Sequence, residues 1–373
     1  MNKLDSAKRL VVKIGSAILT DAVGIRESWL AALVEDIVAL RASDKEVIVV
    51  SSGAVACGRL VLEAQHPGLK DRKLKLEEKQ AAFACGQVTM MYAWQRAFAA
   101  HGTATAQILL TADDTENRRR YLNARNTLDN VLKFGAVPVI NENDAISTQE
   151  LRIGDNDRLG ARVAQMAGAD CLVLLSDVDG MYTADPRHDS SAEFLPEIHG
   201  ITPEIEAMAG GSATLAGSGG MATKVAAARI ALASGCHMAI VSGHGDHPLE
   251  RLAEGGKATW FIAAKTPQNA RKEWIAGTLK PSGAVTVDEG AASALKSGKS
   301  LLPAGVRKIE GSFERGDAIR VLNEAGREIA RGLSAYGTVG AKAIAGRKSS
   351  EIEAILGFKG RDELIHRDDL VLL

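Results

Sequence analysis

Six short runs of aliphatic and β-branched residues recur along the first two-thirds of the chain, at positions 10–14, 47–50, 106–110, 137–140, 172–175 and 238–241. Continuous apolar runs of this length suit strands buried on both faces of a sheet. Between them, apolar residues fall at helical spacing over 27–41, 78–100, 121–134, 159–167 and 224–234. Strand and helix in alternation, joined by right-handed crossovers, predict an α/β fold: a three-layer αβα sandwich around a mainly parallel sheet. A long polar stretch at 180–220 breaks the rhythm and is expected to form a flap beside a ligand. After Ala264 the pattern changes. Thr266-Pro267-Gln268-Asn269 reads as the start of a linker, and from Gly283 the apolar runs are short and the turns Gly-rich, with strands expected at 285–287, 300–302, 319–322 and 328–332 and a turn at 311–317. The chain therefore divides into 1–266, a linker 267–282 and a small mostly-β domain 283–373.

A length of 373 residues also favours two domains. The formal net charge of -1 gives no global pull toward nucleic acid, and an aromatic content of 4% leaves little for a base-stacking surface. Cys57, Cys85, Cys171 and Cys236 have neither metal-ligand nor redox spacing and read as buried free thiols of a reducing compartment. Asp5, Lys8, Arg9 and Lys13 interrupt any signal-peptide core, and no apolar run reaches membrane length, so a cytoplasmic protein is expected.

The chemistry clusters where the predicted strands end, which is where open α/β sheets bind ligands. Lys13, within Val11-Val12-Lys13-Ile14-Gly15-Ser16, reads either as an edge lysine with its head in water or as a charge aimed at phosphoryl oxygens, which Gly15 and Ser16 let the backbone approach. Ser51-Ser52-Gly53-Ala54 allows close approach of a substrate, or simply caps a helix. Asn141-Glu142-Asn143-Asp144 and Gly154-Asp155-Asn156-Asp157 are two acid-and-amide clusters within sixteen residues; beyond turn chemistry, they suit an ammonium ligand or the orientation of a lysine. Ser176-Asp177 could meet a nucleotide. The Gly-rich Gly217–Lys224 segment runs into a helix and suits a polyphosphate. It is not a P-loop, and no dinucleotide fingerprint follows the first strand. His244 and His247 lack neighbouring ligands in sequence and do not suggest zinc; Arg118-Arg119-Arg120 reads as a solvated helix face.

Taken in order, VVKIGS, SSGAVACG, NENDAIS, GDND, SDVDGMYTADPR and GSGGMATK resemble the amino acid kinase family, in the branch that phosphorylates glutamate, and VDEGA, SLLPAG, RGD, ILG and HRDD in the tail resemble a PUA domain. The resemblance covers nearly the whole chain. It implies transfer of the γ-phosphoryl of ATP, with Mg²⁺ carried by the nucleotide, to the side-chain carboxylate of L-glutamate, giving L-glutamyl 5-phosphate for proline biosynthesis. By motif, Lys13, Lys224 and Asp157 would be catalytic. Ser52, Gly53, Asn141, Asp144 and Asn156 would bind glutamate. Lys13, Gly15, Ser176, Asp177, Ser218, Gly219, Gly220, Met221, Ala222, Thr223 and Lys224 would bind ATP. Ser176 and Ser218 stand where relatives commonly carry threonine, and Ala222 where a hydroxyl is common. The resemblance further implies a homodimer or homotetramer, proline as a feedback inhibitor and hand-over of the product to glutamyl phosphate reductase. RNA binding by the PUA-like tail, and a different phosphoryl acceptor on the same fold, are the competing readings.

Overall fold

The computed structural model describes residues 3–70, 72–146, 156–210, 220–278 and 280–373. The chain forms two compact units, Met1–Pro267 and Gln268–Leu373.

The first unit is built on strands β1 (Arg9–Ile14), β2 (Glu46–Val50), β3 (Thr105–Leu110), β4 (Val137–Glu142), β5 (Cys171–Ser176), β6 (Met181–Tyr182), β7 (Phe194–Leu195), β8 (Glu197–Ile198), β9 (His237–Ser242) and β10 (Ala258–Phe261). Eight of these make one sheet, ordered β3-β4-β2-β1-β5-β9-β10-β8. All neighbours run parallel except β9 and β10. The helices that cover it include α1 (Glu27–Ala42), α2 (Ala54–Gln65), α3 (Leu76–Ala99), α4 (Arg118–Lys133), α5 (Asn156–Ala167), α6 (Met221–Ala233) and α7 (Pro248–Ala253).

The central strands are buried on both sides, which is why they read as unbroken apolar runs. Leu10, Val12, Ile14 and Val173 face a core shared with Leu33 of α1 and Phe83 and Trp94 of α3. Val11, Leu172 and Leu174 face the opposite core, with Leu128 of α4, Val163 of α5 and Ala228 of α6. Lys13 follows the same alternation as Val11, so its side chain leaves the sheet on the α5–α6 side. The chain builds leftward from β1 through β2, then crosses to β5 on the other flank. That reversal opens a crevice beyond the carboxyl ends of β1 and β5.

Helices α2 and α3 lie unusually close. A Cβ on Gly58 would sit 1.6 Å from the Ala82 carbonyl oxygen, and one on Gly86 would sit 1.9 Å from that of Ala54. Only glycine at both positions permits this spacing, and it fixes the middle of α3 against the first turns of α2.

Three expectations need correction. The 180–220 stretch is no loose flap over its described part: β6 and β7 form a ribbon, β8 joins the sheet edge, and the Met181 N–H donates to Thr259 Oγ1 at 2.7 Å. Lys257 pairs with Asp179 at 2.8 Å and lies 4.6 Å over the Phe194 ring. Two-residue strands among polar residues leave too little periodicity to detect. Residues 211–219 lie outside the described part. The segment 267–282 is not an open linker; it carries the helix Pro267–Glu273, with proline in its first turn, and a π-helical turn Trp274–Thr278 that buries Ile275 against Ala318 and Leu333. Cys85 is exposed on α3, whereas the other three thiols are buried.

The second unit is a five-stranded sheet ordered β12-β11-β13-β14-β15, from β11 (Gly283–Val287), β12 (Val306–Gly311), β13 (Ala318–Leu322), β14 (Glu328–Leu333) and β15 (Leu370–Leu372). Val285, Ile319, Val321, Ile344 and Leu364 fill its core. The strand expected at 300–302 reduces to a single bridge between Leu301 and Ile365.

Candidate active site at the sheet's carboxyl edge

The site begins with a buried three-way ion pair. Lys13, near the end of β1, places Nζ 2.6 Å from Asp157 Oδ1; Lys224, in the first turn of α6, places Nζ 3.1 Å from Asp157 Oδ2. Side-chain exposure is 10% for Lys13, 4% for Lys224 and 2% for Asp157, so none of the three charges is solvated in the ordinary way. Burial drives the Asp157 carboxyl upward, but the two ammonium groups outweigh it and hold the carboxyl below its usual range. Thr223 donates its hydroxyl to the same Oδ2 at 2.9 Å. Two ammonium groups share this one buried carboxylate, an arrangement that suits a polyanion. Gly160 of α5 packs on the Lys13 stem: a Cβ there would lie 3.4 Å from that of Lys13.

Other nucleotide-side expectations converge on the same edge. Gly15 follows β1, and its N–H donates to the Leu175 carbonyl at 3.1 Å, tying the ends of β1 and β5 together. Ser176 ends β5 and donates to Asp177 Oδ1 at 3.0 Å; Asp177 is exposed. Gly220 caps α6, whose first turn holds Met221, Ala222, Thr223 and Lys224. Ser218 and Gly219 lie outside the described residues, as does Asp155.

A second cluster adjoins the first through consecutive residues Asn156 and Asp157 at the start of α5. Asn156 Nδ2 donates to Ser52 Oγ (2.6 Å), Asn141 Oδ1 (3.1 Å) and the Ser51 carbonyl (3.2 Å). Gly53 adopts φ +105° at the cap of α2, a left-handed conformation that turns the chain sharply beside Ser52. Sequence reasoning missed two buried supports on α3. Gln87 Oε1 accepts from Asn141 Nδ2 at 2.9 Å, and Trp94 Nε1 donates to Ser51 Oγ at 3.0 Å. Neither residue lies in a polar motif; only a glutamine within an otherwise apolar helix face hints at the first.

Asp144 and Asn156 each present a buried Oδ1 with no partner among the described residues. Burial pushes the Asp144 carboxyl up to about 6. A buried acceptor with no partner suits a ligand donor such as an ammonium group. Because folding raises this pKa, the folded protein binds the proton more tightly than the unfolded chain. The cost of the buried charge is therefore present above pH 6 and fades as pH falls toward the ordinary carboxylate range. Ligand-free Asp144→Asn is thus expected to unfold at a higher temperature than the parent at pH 7.5, with the gap narrowing by pH 5. Thermal melts at the two pH values check this, and a gap that does not change with pH contradicts it.

His247, set aside for want of neighbouring ligands, does have some in space: Asp36 at 2.7 Å, with Glu35 and Glu250 beyond. Asp36 also accepts from the backbone N–H groups of Leu249 and Glu250, so it braces the start of α7.

Residues 8–242 match the model described as the amino acid kinase family, and residues 283–356 match that of the PUA domain. The chain belongs to the amino acid kinase family. Its place within that family is the glutamate 5-kinase branch. It is 59% identical to the glutamate 5-kinase of Paramagnetospirillum magneticum (strain ATCC 700264 / AMB-1), with all of both chains covered. It is 56% identical to glutamate 5-kinase 1 of Rhizobium meliloti (strain 1021), over 99% of this chain and 93% of that protein. Among solved structures, UMP kinase from Ureaplasma parvum covers 68% of this chain and 98% of its own at 15% identity and a TM-score of 0.48. Carbamate kinase from Giardia lamblia bound to AMP-PNP covers 69% and 99% at 16% identity and a TM-score of 0.49. The first unit is thus an amino acid kinase domain with a mainly parallel sheet, followed by a mostly-β PUA domain. Among the described residues, no helix is long and apolar enough to cross a membrane.

Proposed function

We propose that this amino acid kinase transfers the γ-phosphoryl group of ATP to the side-chain carboxylate of L-glutamate, giving ADP and L-glutamyl 5-phosphate, the first step from glutamate toward proline. The observation that carries the reading is the buried Lys13–Asp157–Lys224 bridge, with Asn156 next to it in the chain presenting a buried oxygen that has no partner among the described residues.

The chemistry balances without a general base. A glutamate carboxylate is already ionised at neutral pH, so one of its oxygens attacks the γ-phosphorus directly. The bond from that phosphorus to the β,γ-bridging oxygen breaks, and its electron pair leaves with ADP. Catalysis then consists of alignment and neutralisation of charge. Lys13 contacts the transferred group, Lys224 meets charge on the leaving side, and Asp157 holds both ammonium groups in place. Gly15, Ser176, Asp177 and the start of α6 from Gly220 to Lys224 cradle ATP; Ser218 and Gly219 belong to the same reading by motif. Ser52, Gly53, Asn141, Asp144 and Asn156 hold glutamate, with Asp144 and the Asn156 oxygen toward its α-ammonium.

Both Asp157 oxygens already accept from lysine or threonine donors, so this carboxylate serves the two ammonium groups. The donor set therefore fits Mg²⁺ riding on the nucleotide phosphates, where it supplies further charge neutralisation. Proline, which resembles a cyclised glutamate, competes in the glutamate pocket. Self-association into dimers or tetramers and hand-over of the labile acyl phosphate to a reductase complete the proposal.

Hydroxylamine converts an acyl phosphate to a hydroxamate. With ATP and Mg²⁺, a strong signal is expected with L-glutamate and little with aspartate or N-acetylglutamate. Folded, ATP-binding protein that gives none with glutamate overturns the assignment.

A further inference from the structure

The pocket's orphaned acceptors are aimed by a chain of side-chain amides that can be followed from a fixed point. The Glu142 backbone N–H donates to Asn141 Oδ1 at 2.9 Å. A backbone N–H can only donate, so the oxygen of the Asn141 amide must face it. The Asn141 nitrogen then points away from the pocket into α3, where it meets Gln87 Oε1 at 2.9 Å. The same Asn141 oxygen receives Asn156 Nδ2 at 3.1 Å. Asn156 Nδ2 also donates to Ser52 and to the Ser51 carbonyl, and its oxygen is left buried with no partner among the described residues. Were the Asn141 amide reversed, its nitrogen would face two N–H donors, and Asn156, still held by the Ser51 carbonyl, would lose its Asn141 partner.

Gln87 is placed for this by packing. It is 5% exposed and follows Gly86, whose missing side chain lets α3 press onto the first turn of α2 directly after Ser51-Ser52-Gly53. A buried glutamine side chain needs partners, and its oxygen finds one on Asn141.

We propose that Gln87 is a positioning residue for substrate recognition: its acceptor oxygen, together with the Glu142 N–H, holds the Asn141 amide in place, and Asn141 with the Ser51 carbonyl aims the Asn156 oxygen at the substrate's ammonium group. The inference rests on the proposed function and deepens it. Gln87 touches no reacting atom. It acts through Asn141 and Asn156 on the amino-acid side of the site and leaves the Lys13–Asp157–Lys224 side alone.

The test is Gln87→Met, which keeps length and apolar volume but removes the acceptor, alongside Gln87→Glu, which restores an acceptor. Kinetics are read as separate KM values for glutamate and ATP, with thermal melts as a folding check. Gln87→Met is expected to raise the KM for glutamate roughly tenfold, the factor for one unmet buried hydrogen bond. The KM for ATP should stay near the parent's, and Gln87→Glu should recover part of the loss. In an Asn141→Ala background, Gln87→Met should add little, because its route to the substrate is already cut. Equal rises in both KM values, an unchanged glutamate KM, or full additivity with Asn141→Ala each overturn the proposal. If Gln87→Met fails to fold, Gln87→Glu against Asn141→Ala supplies the same comparison: a smaller rise in glutamate KM in the first than in the second is expected, and the reverse overturns it. A parent enzyme inactive toward glutamate fells the functional assignment instead, so the two failures are distinct.

Discussion

Lys224→Met is expected to lower kcat for acyl-phosphate formation by roughly a hundred- to a thousandfold, with the KM for glutamate changing by less than about threefold. Methionine keeps most of the lysine stem, so packing at the start of α6 is preserved and the charge alone is lost. That charge lies 3.1 Å from Asp157 and faces the edge where the polyphosphate is proposed to bind. Negative charge moves onto the β,γ-bridging oxygen only as the γ-phosphoryl bond breaks, so an ammonium stationed there stabilises the transition state more than the ground state. A loss of that kind appears in kcat. Lys13→Met should act in the same direction, because Lys13 shares the carboxylate from the β1 side. Steady-state kinetics with hydroxylamine trapping decide the matter. A large rise in glutamate KM with kcat intact would place these lysines on the amino-acid side and refute their assigned roles.

Asp157→Asn is expected to destabilise the ligand-free protein by about 3–5 kcal/mol, the usual consequence of removing one partner from a buried ionic group. The neutral amide would leave Lys13 and Lys224 facing each other across a site that solvent barely reaches. ATP should restore more stability to this variant than to the parent, because its phosphates replace the missing anion. Adding Lys13→Met should recover part of the loss by removing one of the two cations. Urea unfolding with and without ATP measures all three effects. An Asp157→Asn protein as stable as the parent would show that the two ammonium groups do not need this carboxylate.

Much of this site could be read before any coordinates, and the reason is local. The apolar runs that became β1, β2, β4 and β5 end in short polar motifs, and parallel strands deliver those motifs to a single edge. Lys13 and Asp157, separated by 144 positions, meet because β1 carries the first to that edge and the start of α5 carries the second. What stayed hidden depends on contacts across the sheet. Gln87 and Trp94 lie inside a helix whose pattern says only that one face is covered; that Asn141 and Ser51 wait on the far side follows from the depth at which Gly58 and Gly86 let two helices sink together. Strand β12 was missed for a different reason: its residues are mostly exposed, so Val306–Gly311 carries the polar composition of a turn. The helix after Pro267 was likewise masked by turn-forming residues at its start.

The buried acid at position 144 places robustness and turnover in opposition. With no donor to its Oδ1 among the described residues, its carboxylate loosens the resting molecule at neutral pH, where the proposed contact with an amino-acid ligand needs it charged. Selection for heat resistance alone would drift toward an amide or an aliphatic residue here.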